Sequence, residues 1–237
     1  MTTEIDIKFI CEDYDAMTHY PPIPASKIVP EWYKNIPVSL SKTPGYIDND
    51  GVPSVKRCMP VLDYLTSGYT LRNSYEINVR PYEKEDGIRN FSLECNNKNY
   101  VGAHPWHQAP TTEVNGHKNH YFKINQQWLI RTPPGYSCLI YQPHYLFRKE
   151  FQMFPAIVDT DRHDDFVGLV GIINSTEAFT IEPGAPLVTI FPFKRESWKM
   201  DVEHESKIGS QSSFKYFLHG LWHGFYAKHF HSKKNYR

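Results

Sequence analysis

The sequence predicts a mainly β fold, with a distorted-barrel core, a short internal helix and a C-terminal amphipathic helix. Three observations carry this. Aromatic residues make up 15% of the chain, with 16 Tyr and 14 Phe beside 18 Pro, a mix that favours strands, extended segments and turns over long helices. From residue 127 onward, short apolar stretches recur with Gly, Pro and Asn turn signals between them. Sustained helical periodicity appears only near 55–66 and 213–228. A chain of 237 residues suits one large or two small domains and buries a core without disulfides or metals.

In chain order, "EIDIKFIC" (4–11) alternates as a strand does. Residues 20–37, "YPPIPASKIVPEWYKNIP", hold five prolines. Proline fixes φ and removes a donor, so this is an extended arm with one short helical turn. Either Ser26 caps that turn or Pro30 opens it over Glu31–Lys34. Trp32 and Tyr33 anchor it by packing, or mark a contact surface if exposed. Val55, Cys58, Met59, Leu62 and Leu65 share helical spacing, and Gly68 suits the end of that helix. "YTLRNSYEINVRPY" (69–82) reads as one or two strands, and "IRNFSLECNN" (88–97) as another. Asn115-Gly116 signals a turn.

The β pattern continues through "WLIRTPPGYSCLIYQP", "FQMFPAIVDT", "FVGLVGIINS", "AFTIEPG" and "PLVTIFPFKR". Turns are expected at Pro-Pro-Gly, Asn174-Ser175 and Pro183-Gly184. At the C-terminus Phe214, Phe217, Leu218, Leu221, Trp222 and Phe225 form one stripe, capped by Ser212 or Ser213. The expected organisation is an N-terminal strand and proline-rich arm over 1–54, a helix plus β subdomain over 55–114, a β core over 115–200, and a helix with a basic tail over 201–237.

Lys plus Arg equals Asp plus Glu at 26 each, so the net charge is zero. General nucleic-acid binding needs a basic excess and is not expected. Cys11, Cys58, Cys95 and Cys138 form no C-x-x-C pair and read as buried small hydrophobes in a reducing compartment. The opening "MTTEIDIKF" lacks the pattern of a signal peptide. No run of about 18 apolar residues exists, so no membrane span is expected. The expected location is the cytoplasm, for a viral protein that of the infected host, or the virion. Walker, dinucleotide-binding and nucleophile-elbow motifs are absent. "HDD" at 163–165 lacks the gap that an iron-oxygenase triad needs.

Residues 131–193 resemble the core of the dUTP pyrophosphatase and dCTP deaminase superfamily, the β-clip fold. "RTPPGYSCLIYQPHYLF" is similar to the strand, turn and strand before its second motif. "FPAIVDTDRHDD" is similar to the third motif, and "GLVGIINSTEAFTIEPGAPLVTIFPF" to the strand pair that follows. The resemblance implies that Asp159 matches the aspartate that activates the attacking water. Pro143, His144 and Tyr145 stand where the family has its phosphate-binding Arg-Ser-Gly, Arg162 replaces the base-stacking aromatic, and the C-terminal glycine-rich arm is missing. These departures count against dUTP hydrolysis. The family also implies a homo-oligomer, a trimer by analogy. A closer likeness is to an uncharacterised family of marine tailed-phage and bacterial proteins, through "KRCMPVLDYLTSGY" (56–69), "WLIRTPPGYS" (128–137), "IVDTD" (157–161) and "FPFKRESW" (191–198). It implies a phage origin.

Asp159 and Asp161 are the candidate catalytic residues. Strand alternation would put both on one face, where two carboxylates can bind a cation or split their pKa values. They can equally be turn residues paired with Arg162 and His163. Arg162, Tyr145, His144 and Gln108 are the candidate ligand contacts. His104 and His107, in "HPWHQAP", are candidate ligands of a divalent metal, with a third from His117, His120 or His144. Otherwise they lie in a surface loop where Trp106 packs. His219 and His223 share one face of the terminal helix, which reads as a docking helix.

Two functions follow. One is a non-catalytic phage protein that uses the β scaffold for virion structure or for binding a host, phage or small-molecule partner. The other is a metal-assisted enzyme acting on a nucleotide or related small molecule, with Asp159 as general base.

Overall fold

The computed structural model describes residues 5–40, 52–83, 88–108, 113–114, 117–204, 231–232 and 234–237. The strands are β1 (Lys8–Ile10), β2 (Ile23–Pro24), β3 (Ser39–Leu40), β4 (Val52–Pro53), β5 (Tyr69–Arg72), β6 (Ile77–Glu83), β7 (Ile88–Glu94), β8 (Val101–His104) and β9 (Glu113–Val114). They continue with β10 (His117–Asn119), β11 (Tyr121–Asn125), β12 (Leu129–Arg131), β13 (Tyr136–Tyr141), β14 (Phe151–Met153), β15 (Ala156–Val158), β16 (Gly168–Ile173), β17 (Phe179–Ile181) and β18 (Pro186–Lys194). The helices are α1 (Tyr14–His19), α2 (Glu31–Asn35) and α3 (Met59–Thr66). The fold is mainly β.

The chain divides into two compact units, residues 1–28 with 68–195, and residues 29–67 with 196–237. In the first, three sheets carry the architecture, in the orders β15-β13-β18-β5-β2, β17-β6-β7-β10-β9 and β14-β16-β11-β8. Their inward side chains meet in one core that includes Leu71, Val79, Phe122, Ile140, Phe151, Leu169 and Ile190. The alternation expected of half-buried strands explains β11, where Phe122 and Ile124 are buried and Lys123 between them is not. β18 lies between β13 and β5, and four consecutive residues, Leu187 to Ile190, are buried. Both of its faces are covered there, which removes the alternation.

Turn chemistry sets the connections. Gly184 follows Pro183 at φ +82° between β17 and β18, in the left-handed region that glycine enters at no steric cost. Gly68 takes φ +83°, and a Cβ there would sit 2.5 Å from the Ile190 carbonyl oxygen. Asp13 caps α1 by accepting from the Ala16 N–H at 2.9 Å. The same carboxylate accepts from the Tyr75 hydroxyl and from Gln127 Nε2 at 2.8 Å. These bonds, that of Tyr75 first, hold it below its ordinary pKa.

In the second unit, the helix expected over 55–66 begins with a 3-10 turn at Val55–Arg57 and continues as α3. Pro30 stands at the N-cap of α2, and Tyr33 on that helix is buried. One expectation needs correction. Of the four cysteines only Cys138 is buried, whereas Cys58 is exposed, because it precedes α3 as its N-cap residue. The basic tail is partly engaged: Lys234 Nζ lies 2.5 Å and His231 Nε2 2.8 Å from the Asp63 carboxylate. Burial pushes the Asp63 pKa up, but these two partners outweigh it and the net shift is downward. The expected terminal helix, with His219 and His223, and the Asn115-Gly116 turn lie outside the described residues. Among the described residues, no helix is long and apolar enough to cross a membrane.

Candidate functional site

The site is assembled where three strands of one sheet end together. β13 pairs with β15 through Cys138↔Val158 and with β18 through Tyr136↔Lys194. That register brings the start of β13, the turn after β15 and the residue after β18 to one end of the sheet. β15 stops at Val158, and the N–H groups of Arg162 and His163 both donate to the Asp159 carbonyl, at 2.9 and 2.8 Å. The segment is therefore a tight turn rather than a continuing strand. Thr160, almost fully buried, is its anchor: its hydroxyl meets Thr132 Oγ1 at 2.7 Å and Cys138 Sγ at 3.3 Å.

Strand alternation does not bring the two carboxylates together; Arg195 does. Asp161 Oδ1 accepts from Arg195 Nη1 at 2.7 Å, and Oδ2 accepts from Nη2 at 2.5 Å and from the Gly135 N–H at 2.8 Å. Gly135, at φ +86°, closes the Pro-Pro-Gly turn, and its carbonyl accepts from the Arg195 N–H at 2.8 Å. The Asp161 side chain is only 5% exposed. The two bonds from Arg195, then the Gly135 N–H, hold its carboxyl far below the ordinary carboxylate range, and the same pairing raises the Arg195 pKa. A carboxylate so held is a poor base.

Asp159 differs. Its Oδ1 accepts from Ser137 Oγ at 2.6 Å and lies 3.2 Å from Arg195 Nη1, yet its side chain is 54% exposed. Among the described residues nothing bonds its Oδ2. Arg195 Nη1 also reaches Ser137 Oγ at 3.0 Å and the Tyr136 carbonyl at 3.1 Å.

The other candidates are placed as follows. Arg162 is exposed in the turn. Its guanidinium is only a minor influence on the Asp161 carboxyl, behind Arg195. His144 and Tyr145 lie on a 3-10 turn, His144–Leu146, closed by Phe147 at φ +50°. The Tyr145 and Phe147 rings meet edge to face at 6.1 Å. His104 ends β8, in a different sheet from β15. Its Nδ1 lies 3.0 Å from Gln108 Oε1, and its carbonyl accepts from His120 Nδ1 at 3.3 Å. His107 is exposed, with its ring 6.1 Å from that of Trp106. Among the described residues, no three His, Cys, Asp or Glu side chains group where they could hold a metal ion.

Arg195, Ser137, Thr132 and Thr160 were not legible as site residues. The Pro-Pro-Gly turn marked where β13 begins, but only the β13–β18 register sets Arg195 beside it.

No family model and no curated protein matches the chain. A solved structure of native EIAV dUTPase aligns with 60% of this chain and 87% of its own, at 10% identity and a TM-score of 0.34. A likeness at that level transfers neither a site nor an activity.

Proposed function

We propose that the protein is a non-catalytic phage protein whose β scaffold serves virion structure or partner binding, and whose carboxylate cluster holds that scaffold. The observation that carries this reading is the saturation of Asp161 by three donors from Arg195 and Gly135. A carboxylate committed to two chain segments supports a clasp better than a proton acceptor. A binding role gains support from residues 198–202. Trp198, Met200 and Val202 are each at least 80% exposed, and apolar side chains grouped on a surface mark contact sites. The partner is a second copy of the chain or a virion or host protein.

A thermal-shift screen with deoxynucleotides, ribonucleotides, Mg²⁺, Mn²⁺, Zn²⁺ and Fe²⁺ tests this reading. A ligand at about a hundred times its dissociation constant adds roughly 2.7 kcal/mol, so real binding is visible. The expected result is no shift with any of them, an Asp159→Asn protein that melts like wild type, and the chain found in purified virions. A shift abolished by Asp159→Asn contradicts the proposal.

One observation favours a second reading, the exposed Oδ2 of Asp159 beside a guanidinium and a serine. It would serve a metal-assisted enzyme acting on a nucleotide, with Asp159 as general base. That reading requires turnover that disappears in Asp159→Asn while the fold is kept.

A further inference from the structure

A second site stands apart from the carboxylate cluster. β6 and β7 pair antiparallel, with Tyr82 opposite Asn90 and Glu83 opposite Arg89. Side chains alternate along a strand, so Arg89 shares a face with Phe91, which is 6% exposed in the core, and with Leu93, which packs against it. Arg89 is thus the next member of a core-facing row, and it is half-buried. A guanidinium drawn out of water ordinarily finds an anion or carbonyl. Among the described residues, no hydrogen bond or ion pair is found at this guanidinium.

The same residues open onto a cleft of about 150 Å³, with Phe91 and Ile173 as apolar lining and Arg89, His120, Tyr82 and Glu83 among its polar lining. A space of about that size accommodates one benzene-sized ring. His120 is held in place: its N–H donates to the Arg89 carbonyl at 3.2 Å, and its Nδ1 donates to the His104 carbonyl at 3.3 Å. A carbonyl only accepts, so Nδ1 carries the proton.

We propose that this cleft binds a small molecule with one ring-sized apolar body and one anionic head, a carboxylate or phosphate, seated on Arg89. The body replaces water against Phe91 and Ile173. The head supplies the hydrogen-bond acceptor that no described residue gives the guanidinium, in the two-pronged geometry arginine offers to such anions. The inference is independent of whether Asp159 is catalytic.

Calorimetric titration of the full chain tests it, with benzoate, benzyl alcohol and inorganic phosphate as probes. Benzoate should bind saturably at one site, and phosphate should compete for it. Benzyl alcohol, which keeps the ring and loses the charge, should bind roughly tenfold or more weakly. Arg89→Gln should weaken benzoate by a similar factor. The comparison of benzoate with benzyl alcohol needs no variant, so a folding defect in Arg89→Gln leaves the test intact. Equal binding of the acid and the alcohol, no saturable benzoate binding, or wild-type affinity in Arg89→Gln would each overturn the proposal. Phosphate binding without benzoate binding would overturn the ring-sized body.

Discussion

Two polar networks in the same unit tie distant segments together, and they do so by opposite means. One is neutral and buried. Asn73 is fully enclosed, and its amide donates to the carbonyls of Tyr75, Ile181 and Glu182 at 2.5, 2.8 and 3.2 Å. Its oxygen accepts from the Tyr100 hydroxyl at 3.0 Å, and that hydroxyl accepts from the Ser74 N–H at 3.0 Å. The other network is the charged clasp of Asp159, Asp161 and Arg195 at the sheet's end, half of it in contact with water. Burial decides how much each network is worth, because an unpaired group in the core forfeits its hydration as well as its bond. Charge decides which of them responds to pH.

The largest effect should come from breaking the buried network. Asn73→Ala leaves three carbonyls and the Tyr100 hydroxyl short of partners and should cost about 3 kcal/mol in urea unfolding, with no dependence on pH between 4 and 9. The clasp should come next. Asp161→Asn keeps the shape and removes the charge that Arg195 faces, so Tm should fall by several degrees at neutral pH. The pH dependence has a definite sign. The folded carboxyl lies below the ordinary value of 3.8, so its contribution is present above that value and disappears as the pH falls toward the lower one. The gap between wild type and Asp161→Asn should therefore narrow in acid.

Tyr100→Phe should cost about 1 kcal/mol. It should also flatten the alkaline limb of the stability curve. Burial pushes the Tyr100 hydroxyl up to about 12 from an ordinary 10, so wild-type stability is whole below pH 10 and is lost as the pH rises from there through the folded value. The smallest effect should be that of Asp159→Asn. Its side chain is half in water, and the change should stay within about 0.5 kcal/mol.

The sequence made some of this legible. The strand, turn and strand read in "WLIRTPPGYSCLIYQP" marked β12 and β13, Pro183-Gly184 and Pro-Pro-Gly marked real turns, and Gly68 marked the end of α3. Local signals were enough because those features depend on neighbours in the chain. The expected strand over 4–11 shrank to β1, and α1 went unread although Asp13 is a common type of cap. Its six residues carry too little periodicity to stand out. The networks were illegible for a different reason. Asn73 reads as a polar break between strands, and its acceptors at Ile181 and Glu182, the end of β17 and the residue after it, lie more than a hundred residues away. Arg195 reads as a charge at a strand's end until the β13–β18 register sets it beside Gly135. Register is a property of paired strands, and neither strand alone encodes it.

The most direct test of the clasp is the thermal midpoint of wild type, Asp159→Asn and Asp161→Asn measured from pH 7 down to pH 2. Asp159→Asn should follow wild type throughout, while Asp161→Asn should start lower and the gap to wild type should narrow steadily below about pH 4. An Asp161→Asn protein as stable as wild type at pH 7, or an Asp159→Asn protein that melts higher and loses a measurable turnover, would contradict this expectation and return the two carboxylates to chemistry.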